Sequence, residues 1–164
     1  MKVNPKVPAA VLALCAPLVA YYEGYVPNSY ADPIGIPTAC YGHTGPEVRL
    51  GQRYTRAECE ALLAGDLAAA NAIVHRCITV AMLPHQEAAL TSFAYNVGAG
   101  RKGVKDGLCE LRNGRQPYIR RMANAGRWAQ ACAGLMDWTS ANGIKLRGLV
   151  KRRAAERAMC EGRV

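Results

Sequence analysis

A continuous apolar stretch near the N-terminus is the first feature of the hydrophobic pattern. Sixteen residues, 7–22, are interrupted only by two prolines, and Lys2 and Lys6 precede them. A positive start followed by an apolar stretch is typical of a secretory signal or a weak signal anchor. Sixteen residues are short for a membrane span, however, and Pro17 disfavours a continuous helix.

The alternative for this segment is a buried helix of the folded domain, which we favour, with a role in export left open. Both interpretations hold if the segment first delivers the chain to a membrane and later packs into the protein. In a core helix one face points inward. The residues expected on that face are Val11, Leu12, Leu14, Leu18 and Val19.

The next part of the chain predicts a small antiparallel sheet. Residues 24–51 are punctuated by glycine and proline, with β-prone pieces around Tyr30 and over residues 36–41. The sequence Asp32-Pro33-Ile34-Gly35 between these pieces is a strong turn signal. We therefore expect a hairpin or a short meander here.

Helices are predicted for most of the remaining chain. Thr55 and Glu58 form a capping-box pattern that opens a helix through Ala72. Pro84 begins another helix, which ends at the glycines from Gly98 onward. The other expected elements are a loop over 101–117 with a short helical piece around Cys109, and two or more helices over 118–136 and 145–160.

Length and composition fit a folded domain of mainly helical α+β class. The chain has 164 residues, 51% hydrophobic and 20% charged, which excludes disordered, collagen-like and polytopic membrane proteins. We expect one domain over residues 1–164 and a monomer. Its parts are an apolar helix over 1–22, a small β-containing lobe over 23–60 and a helical lobe over 61–164.

The charge is concentrated in the C-terminal part. Residues 1–100 hold 6 Lys/Arg and 7 Asp/Glu, whereas residues 101–164 hold 15 and 5, which gives the overall charge of +9. A basic surface of this kind favours an anionic polymer as partner: nucleic acid, an acidic membrane surface or cell wall. The alternative is a solvated basic surface that only aids solubility.

The seven cysteines are spread along the chain and indicate an oxidising compartment, with buried free thiols as the alternative. No pair has C-x-x-C spacing and the three histidines are not clustered with them, so no metal site and no other cofactor is expected. An odd count leaves at least one thiol unbridged. The spacing alone does not decide the pairing.

Two carboxylates in the first half form a candidate catalytic pair. Glu23 ends the apolar helix, where the helix dipole and apolar neighbours are expected to raise its pKa and suit it to general acid catalysis. Asp32, in the turn, is expected to stay ionised, and Thr38 on the return strand can orient a water. Glycoside hydrolysis needs two such carboxylates. The alternative is a surface carboxylate and an ordinary turn former.

These residues resemble the phage-type lysozymes, the endolysins of glycoside hydrolase family twenty-four. The family pattern is Glu, eight residues, Asp, five residues, Thr, and the chain reproduces this spacing with Glu23, Asp32 and Thr38. The matching stretches are Tyr22–Tyr25, Tyr30–Thr38, Cys40–Gly45, Thr55–Leu63, Ser92–Gly100 and Gly148–Arg157.

The resemblance implies cleavage of the β-1,4 bond between N-acetylmuramic acid and N-acetylglucosamine in peptidoglycan. Glu23 would protonate the leaving oxygen, while Asp32 and Thr38 would hold the attacking water or stabilise positive charge on the sugar. Inversion is favoured, which predicts a carboxyl separation of roughly 6.5–9.5 Å. Asn96 becomes a candidate for substrate binding, with capping of its helix before Gly98 as the alternative.

The remaining polar and aromatic residues are given structural interpretations on general grounds. One cation of the C-terminal helix is expected to pair with Glu23. His43 is expected to be a structural hydrogen-bonding residue and not a catalytic base, and Trp128 and Trp138 are expected in the core. The candidate partners of Glu23 are Arg147, Lys151, Arg152 and Arg153.

The same resemblance suggests a disulfide pairing: Cys40 with Cys59, Cys77 with Cys109, and Cys132 with Cys160. Cys15 is left over, roughly 12 Å along the helix from Glu23. Some endolysins of this family use a signal-anchor segment and a thiol near the site to stay inactive until release from the membrane. Cys15 and Cys40 would suit such a switch by disulfide exchange.

These inferences predict an exported enzyme of the periplasm or cell wall, first tethered to the inner membrane through residues 7–22, with a cytoplasmic protein awaiting release as the alternative. A lytic transglycosylase is the closest competing function, but it needs no positioned water, so Asp32 and Thr38 argue against it. A basic binding module without catalysis would not need the Glu/Asp/Thr spacing. Nucleic-acid-binding signatures are absent, and no nucleic-acid partner is expected.

Overall fold

The apolar N-terminal stretch forms helix α1 (Ala9–Glu23) in the computed structural model, which describes residues 6–163. Lys2, part of the predicted positive start, lies outside the described residues. Only Val11, Cys15 and Val19 are fully buried on α1. Leu12, Leu14 and Leu18 are half-buried, so the predicted inward face is narrower than expected. Residues four apart form one stripe that contacts the core, and the leucines flank it.

The predicted hairpin is present as strands β1 (Val26–Ala31) and β2 (Pro37–Cys40). The strands pair in antiparallel fashion, with Tyr30 opposite Thr38 and Ala31 opposite Pro37. The turn therefore falls where the Asp-Pro-Ile-Gly sequence predicts it.

Two long helices follow. Helix α2 (Arg56–Cys77) begins with the predicted capping box: Thr55 accepts a hydrogen bond from the Glu58 amide, and the Glu58 side chain accepts one from the Thr55 amide. It extends beyond the expected end at Ala72, because Val74 and Cys77 continue the face that is buried in the core. Helix α3 (Pro84–Val97) begins at the predicted proline and ends at Gly98, where φ is +76°.

The C-terminal part contains short helices and a second hairpin. The first two short helices, Tyr118–Asn124 and Trp128–Ala133, are separated by Gly126, whose φ is +71°. The second hairpin was not expected; it turns through Asn142 and Gly143, which both have positive φ. The elements are α4 (Tyr118–Asn124), α5 (Trp128–Ala133), a 3₁₀ turn (Gly134–Asp137), β3 (Ser140–Ala141), β4 (Ile144–Lys145) and α6 (Arg147–Cys160).

Residues 101–117 form a loop, as expected, but the predicted short helical piece around Cys109 is wrong. The amide of Leu108 donates to the Gly98 carbonyl at 3.0 Å, and the amide of Cys109 donates to the Ala99 carbonyl at 2.8 Å. These amides therefore bind the chain that leaves α3 and are not available to a helix of their own.

The core is built around α3, which packs against α1, α2 and α6. Trp138 is half-buried with its ring edge-on to Phe93, and Trp128 is also half-buried against the core. The α+β prediction is confirmed. Among the residues described, no helix is both long and apolar enough to cross a membrane.

The three cysteine pairs suggested by the family resemblance are the pairs found in the structure. Their Cα–Cα distances are 5.0 Å for Cys40–Cys59, 5.2 Å for Cys77–Cys109 and 5.6 Å for Cys132–Cys160. Cys15 carries the remaining thiol and is fully buried.

Candidate active site

Glu23 is the last residue of α1 and lies in a cleft. Its side chain is 23% exposed, and its Oε1 accepts a hydrogen bond from Arg152 Nη1 at 2.6 Å. Gly42 lies close to the other oxygen: a Cβ built on Gly42 would be 3.5 Å from Glu23 Oε2. One carboxylate oxygen is thus held by a guanidinium, and the other lies beside Gly42 with no hydrogen-bond partner among residues 6–163.

Arg152 belongs to a set of charged residues that joins the end of α1 to α6. We call this set the ion cluster: Glu23 of α1 and the buried Arg152, Arg153 and Glu156 of α6. Arg152 Nε donates to Glu156 Oε1 at 3.1 Å, and Arg153 Nη1 donates to Glu156 Oε2. Glu156 is fully buried, and Ser92 of α3 also donates to its Oε1 at 2.7 Å. The spacing of three and four residues on α6 brings both arginines to the same carboxylate.

Burial of the charges in the ion cluster costs desolvation free energy, and charge pairing and hydrogen bonds offset that cost. Desolvation lowers the pKa of Arg153, and the neighbouring Glu156 carboxylate opposes this effect. Two cations and two carboxylates balance in charge, and hydrogen bonds occupy both oxygens of Glu156. Buried charges are tolerated when they are paired and hydrogen-bonded in this way.

Asn96, near the end of α3, shares the cleft with Glu23. Its Oδ1 accepts a hydrogen bond from Arg153 Nη2, so the side chain joins the ion cluster and does not cap its own helix. The cleft has a volume of about 400 Å³. Its lining residues are Tyr22, Glu23, Asn96, Leu146, Gly148, Leu149 and Arg152.

Asp32 and Thr38 lie on the hairpin and are fixed by short-range contacts. Asp32 Oδ1 accepts hydrogen bonds from the amides of Ile34 at 2.9 Å and Ile36 at 2.8 Å. The buried Thr38 hydroxyl donates to the Ile36 carbonyl at 3.0 Å. Among residues 6–163, no hydrogen bond joins Asp32 or Thr38 to Glu23, whereas Asn96 lines the same cleft as Glu23.

Part of the site is predictable from the sequence. Of the four cations proposed as partners of Glu23, Arg152 is the one that contacts it. Ser92 and Glu156 were missed as members of the site. The Arg-Arg-x-x-Glu spacing on a predicted helix was the available signal for Glu156, because it places the carboxylate three and four residues from two arginines.

His43 is a structural residue, as predicted. Its Nδ1 lies 2.8 Å from Asp66 Oδ2 on α2, and its Nε2 lies 2.7 Å from Glu47 Oε1. Burial alone would lower the pKa of His43, but the hydrogen bonds to Asp66 and Glu47 outweigh it and the pKa is raised. Both ring nitrogens are occupied, which leaves no free nitrogen for a catalytic base.

The two cysteines of the expected switch differ in state. Cys40 is bonded to Cys59, while the Cys15 thiol is enclosed on the inner face of α1, where burial raises its pKa to about 12. In this arrangement Cys15 is therefore a poor nucleophile.

No group of three or more histidine, cysteine or carboxylate side chains within residues 6–163 is arranged to hold a metal ion. The cleft offers a carboxylate, Glu23, with one oxygen that accepts no hydrogen bond from the described residues, and such a group is suited to proton transfer.

Comparison with known proteins is consistent with this geometry. A family model described as phage lysozyme matches residues 20–156. The chain is 40% identical to the SAR-endolysin of Enterobacteria phage PA-2 over 136 residues. These residues are 83% of this chain and 74% of that protein.

Among solved structures, the chain is similar to the active form of the P1 phage endolysin Lyz. The TM-score is 0.78 with 28% identity, covering 98% of this chain and 88% of that one. The secreted inactive form of the same endolysin gives a TM-score of 0.52 with 27% identity, covering 74% and 79%. The described arrangement is thus nearer to the active form.

Proposed function

Because the chain belongs to the phage lysozyme family, we propose that it is an endolysin that hydrolyses the β-1,4 bond between N-acetylmuramic acid and N-acetylglucosamine in bacterial peptidoglycan, leading to lysis of the host cell. The observation that carries the proposal is the half-buried Glu23 in the cleft, with Oε1 bound to Arg152 and Oε2 beside Gly42.

Glu23 acts as the general acid and protonates the oxygen of the leaving sugar. Its place at the end of α1 is fixed by Arg152, which is itself held by Glu156. Orientation of this kind supports proton transfer because a general acid must lie within hydrogen-bonding distance of the leaving oxygen.

Asp32 and Thr38 position the attacking water and stabilise positive charge on the sugar. Two backbone amides occupy Asp32 Oδ1 and leave Oδ2 for a water or for the sugar ring. A carboxylate fixed at one oxygen and open at the other suits this role. An inverting outcome, with a carboxyl separation of roughly 6.5–9.5 Å, stays a prediction.

Asn96 contributes to substrate binding. Its amide nitrogen remains available while its oxygen accepts from Arg153, and it lines the cleft beside Glu23. An amide N–H donor at this position can bind a hydroxyl or acetamido oxygen of the glycan.

The test is loss of turbidity of outer-membrane-permeabilised Gram-negative cells treated with the wild type, Glu23→Gln and the control Glu60→Gln. Glu60 is an exposed carboxylate of α2, so its variant should clear the suspension like the wild type. Glu23→Gln should leave it turbid. Equal clearing by all three proteins would show the catalytic assignment to be wrong.

Mass spectrometry of the products separates the two reactions on this polymer. Hydrolysis adds water and gives a reducing N-acetylmuramic acid end, whereas a lytic transglycosylase gives the anhydro sugar. An anhydro product would show that the reaction is transglycosylation and not hydrolysis. Asp32 would then not be needed to position a water.

The protein acts in the periplasm or cell wall as a monomer, after a transient association of residues 7–22 with the inner membrane. The name SAR-endolysin given to the relative from phage PA-2 supports export, and the apolar character of α1 supports the association.

Cys15 and Cys40 form a switch by disulfide exchange. A Cys15 thiolate would attack Cys40, forming Cys15–Cys40 and releasing Cys59 as a thiolate, with no net oxidation. The raised pKa of the buried Cys15 implies that exchange requires α1 to leave its packing. Mass mapping should find Cys15 bridged in a tethered form. Cys15 free in every state, with Cys15→Ser lysing cells at normal timing, would overturn this regulation.

A further inference from the structure

The loop between α3 and α4 carries an exposed positive surface that catalysis does not use. We call residues 101–115 the basic loop; it holds five Lys/Arg and two Asp/Glu. All five cationic residues are exposed: Arg101, Lys102, Lys105, Arg112 and Arg115.

The two carboxylates of the basic loop bind its backbone and not its cations. Glu110 Oε2 accepts a hydrogen bond from the Lys102 amide at 2.9 Å, and Asp106 Oδ1 accepts one from the Arg112 amide at 2.6 Å. In the part of the chain that the structure describes, none of the ion pairs includes a cation of the basic loop. Its positive charges are therefore available to an external anion.

The basic loop is held rigidly. The Cys77–Cys109 disulfide connects it to α2, and the amide of Cys109 donates a hydrogen bond to the carbonyl of Ala99 at 2.8 Å. A Cβ on Gly100 would lie 1.9 Å from the Glu110 carbonyl oxygen, so the two backbone segments pack directly on each other. A fixed array of cations loses less conformational freedom on binding than a mobile one.

The basic loop also borders a second cavity, which lies next to Gly42. A Cβ on Gly98 would be 3.1 Å from Lys105 Nζ, so the ammonium lies against Gly98. Gly98 lines a cavity of about 290 Å³ together with Gly42, the residue that approaches Glu23 Oε2. Gly42 thus lies next to both Glu23 and this cavity, and Lys105 lies on Gly98 at the same cavity.

We propose that the basic loop binds the carboxylates of the peptide stems of peptidoglycan while the glycan strand lies in the cleft, with Lys105 nearest the glycan. This inference rests on the proposed function. The glycan backbone itself is uncharged, whereas its peptide stems carry carboxylates and branch away from the strand. A cationic surface beside the cleft matches this arrangement of charge.

The experiment compares two variants that each remove three positive charges. The loop variant is Arg101→Gln/Lys102→Gln/Lys105→Gln. The control is Arg49→Gln/Arg53→Gln/Arg127→Gln, in which all three residues are exposed and none lines the cleft or the adjoining cavity. Each protein is assayed at low salt on peptidoglycan with free stem carboxylates and on the same material with those carboxylates converted to amides.

The loop variant should lose about tenfold in kcat/KM on the carboxylate substrate and less than about twofold on the amidated one, since each exposed charge pair contributes modestly. The control should lose less than about twofold on both. The wild-type preference for the carboxylate substrate should weaken as salt is added. Equal losses for loop variant and control, or equal losses on both substrates, would overturn the proposal.

A binding measurement separates this proposal from the proposed function. Glu23→Gln, alone or combined with the three loop changes, is sedimented with insoluble peptidoglycan of both kinds. Weaker binding to the carboxylate form only in the combined variant supports the basic loop, whatever the wild type hydrolyses. Unchanged binding overturns it even if the wild type is an active hydrolase. The single change Lys105→Gln leaves the backbone hydrogen bonds of the loop intact. Combined with Glu23→Gln, it should also weaken binding to the carboxylate form, by less than the three loop changes together.

Discussion

The two candidate carboxylates, Glu23 and Asp32, are held in place by opposite means. Asp32 is fixed by the amides of Ile34 and Ile36, all within one turn of the hairpin. Glu23 is fixed by Arg152, 129 residues away in the sequence and almost fully buried. One position is set by a local turn, and the other depends on the packing of α1, α3 and α6.

This difference predicts how each position responds to substitution. A side chain that only serves a turn can be replaced by an isostere with little effect on folding, so any loss of activity reports on chemistry. A side chain in the ion cluster affects folding and activity together, since removing one partner leaves a buried charge uncompensated.

The largest effect is expected for Glu156→Gln. The change leaves Arg152 and Arg153 buried without their shared carboxylate, and should lower the free energy of unfolding by about 3–5 kcal/mol. Urea unfolding followed by circular dichroism measures it. The control Glu161→Gln removes a half-buried carboxylate just beyond the end of the same helix, where it pairs with Arg157 and with the exposed Arg163, and should lower the free energy of unfolding by less than about 1 kcal/mol. Similar values for the two variants would mean that burial of the ion cluster has no energetic consequence.

Asp32→Asn should separate chemistry from folding. The amide oxygen of asparagine can accept the same two backbone hydrogen bonds, so the unfolding free energy should change by less than about 1 kcal/mol. The rate of peptidoglycan hydrolysis should fall by about 10²–10⁴-fold, because the negative charge is lost.

The control for this prediction is Asp32→Ala, which removes the turn hydrogen bonds as well. It should lose the same activity and in addition about 1–3 kcal/mol of stability. An Asp32→Asn protein with wild-type activity would reduce Asp32 to a turn former.

Arg152→Lys tests the connection between Glu23 and the ion cluster. The guanidinium binds Glu23 through Nη1 and Glu156 through Nε, and a single ammonium cannot span both carboxylates. We expect about a tenfold lower kcat, measured at saturating substrate, with the charge of the cluster preserved. A matched change, Lys151→Arg on the exposed side of α6, should leave kcat unchanged. Wild-type turnover by Arg152→Lys would mean that charge alone positions Glu23.

The same contrast between local and distant contacts explains what the sequence could predict. The Thr55–Glu58 capping box, the turn at Asp32 and the start of α3 at Pro84 are each specified by residues close together in the chain, and all three are present. The sequence leaves four cations of α6 as possible partners of Glu23, because helical spacing alone does not define which of them faces the end of α1.

The errors have the same physical origin. A helical piece was expected around Cys109, but its amide binds Ala99, a contact that local propensity does not encode. The β3–β4 hairpin was missed although Asn142-Gly143 is a common hairpin turn, because the strands on either side are only two residues long. In the site itself, Ser92 and Glu156 meet across 64 residues, and only the packing of α3 on α6 brings them together.

His43 makes one contact close in the sequence, to Glu47, and one distant contact, to Asp66 of α2. It thereby connects the segment after the hairpin to α2. Its hydrogen bonds to Asp66 and Glu47 outweigh desolvation and raise its pKa in the folded state. A raised folded pKa gives stability that is complete below the unfolded value near 6.5 and is lost as the pH rises through the folded value. The wild type should therefore lose about 1 kcal/mol or less of unfolding free energy between pH 6 and pH 9, since Glu47 is exposed.

His43→Gln should remove this decline in stability, as followed by urea midpoints across that range. His85→Gln is the control, because the carbonyl of Cys160 and not a carboxylate binds its ring, and it should keep the wild-type slope. A decline in His43→Gln equal to that of the wild type would assign the pH dependence to other groups and leave His43 as a neutral hydrogen-bonding connection.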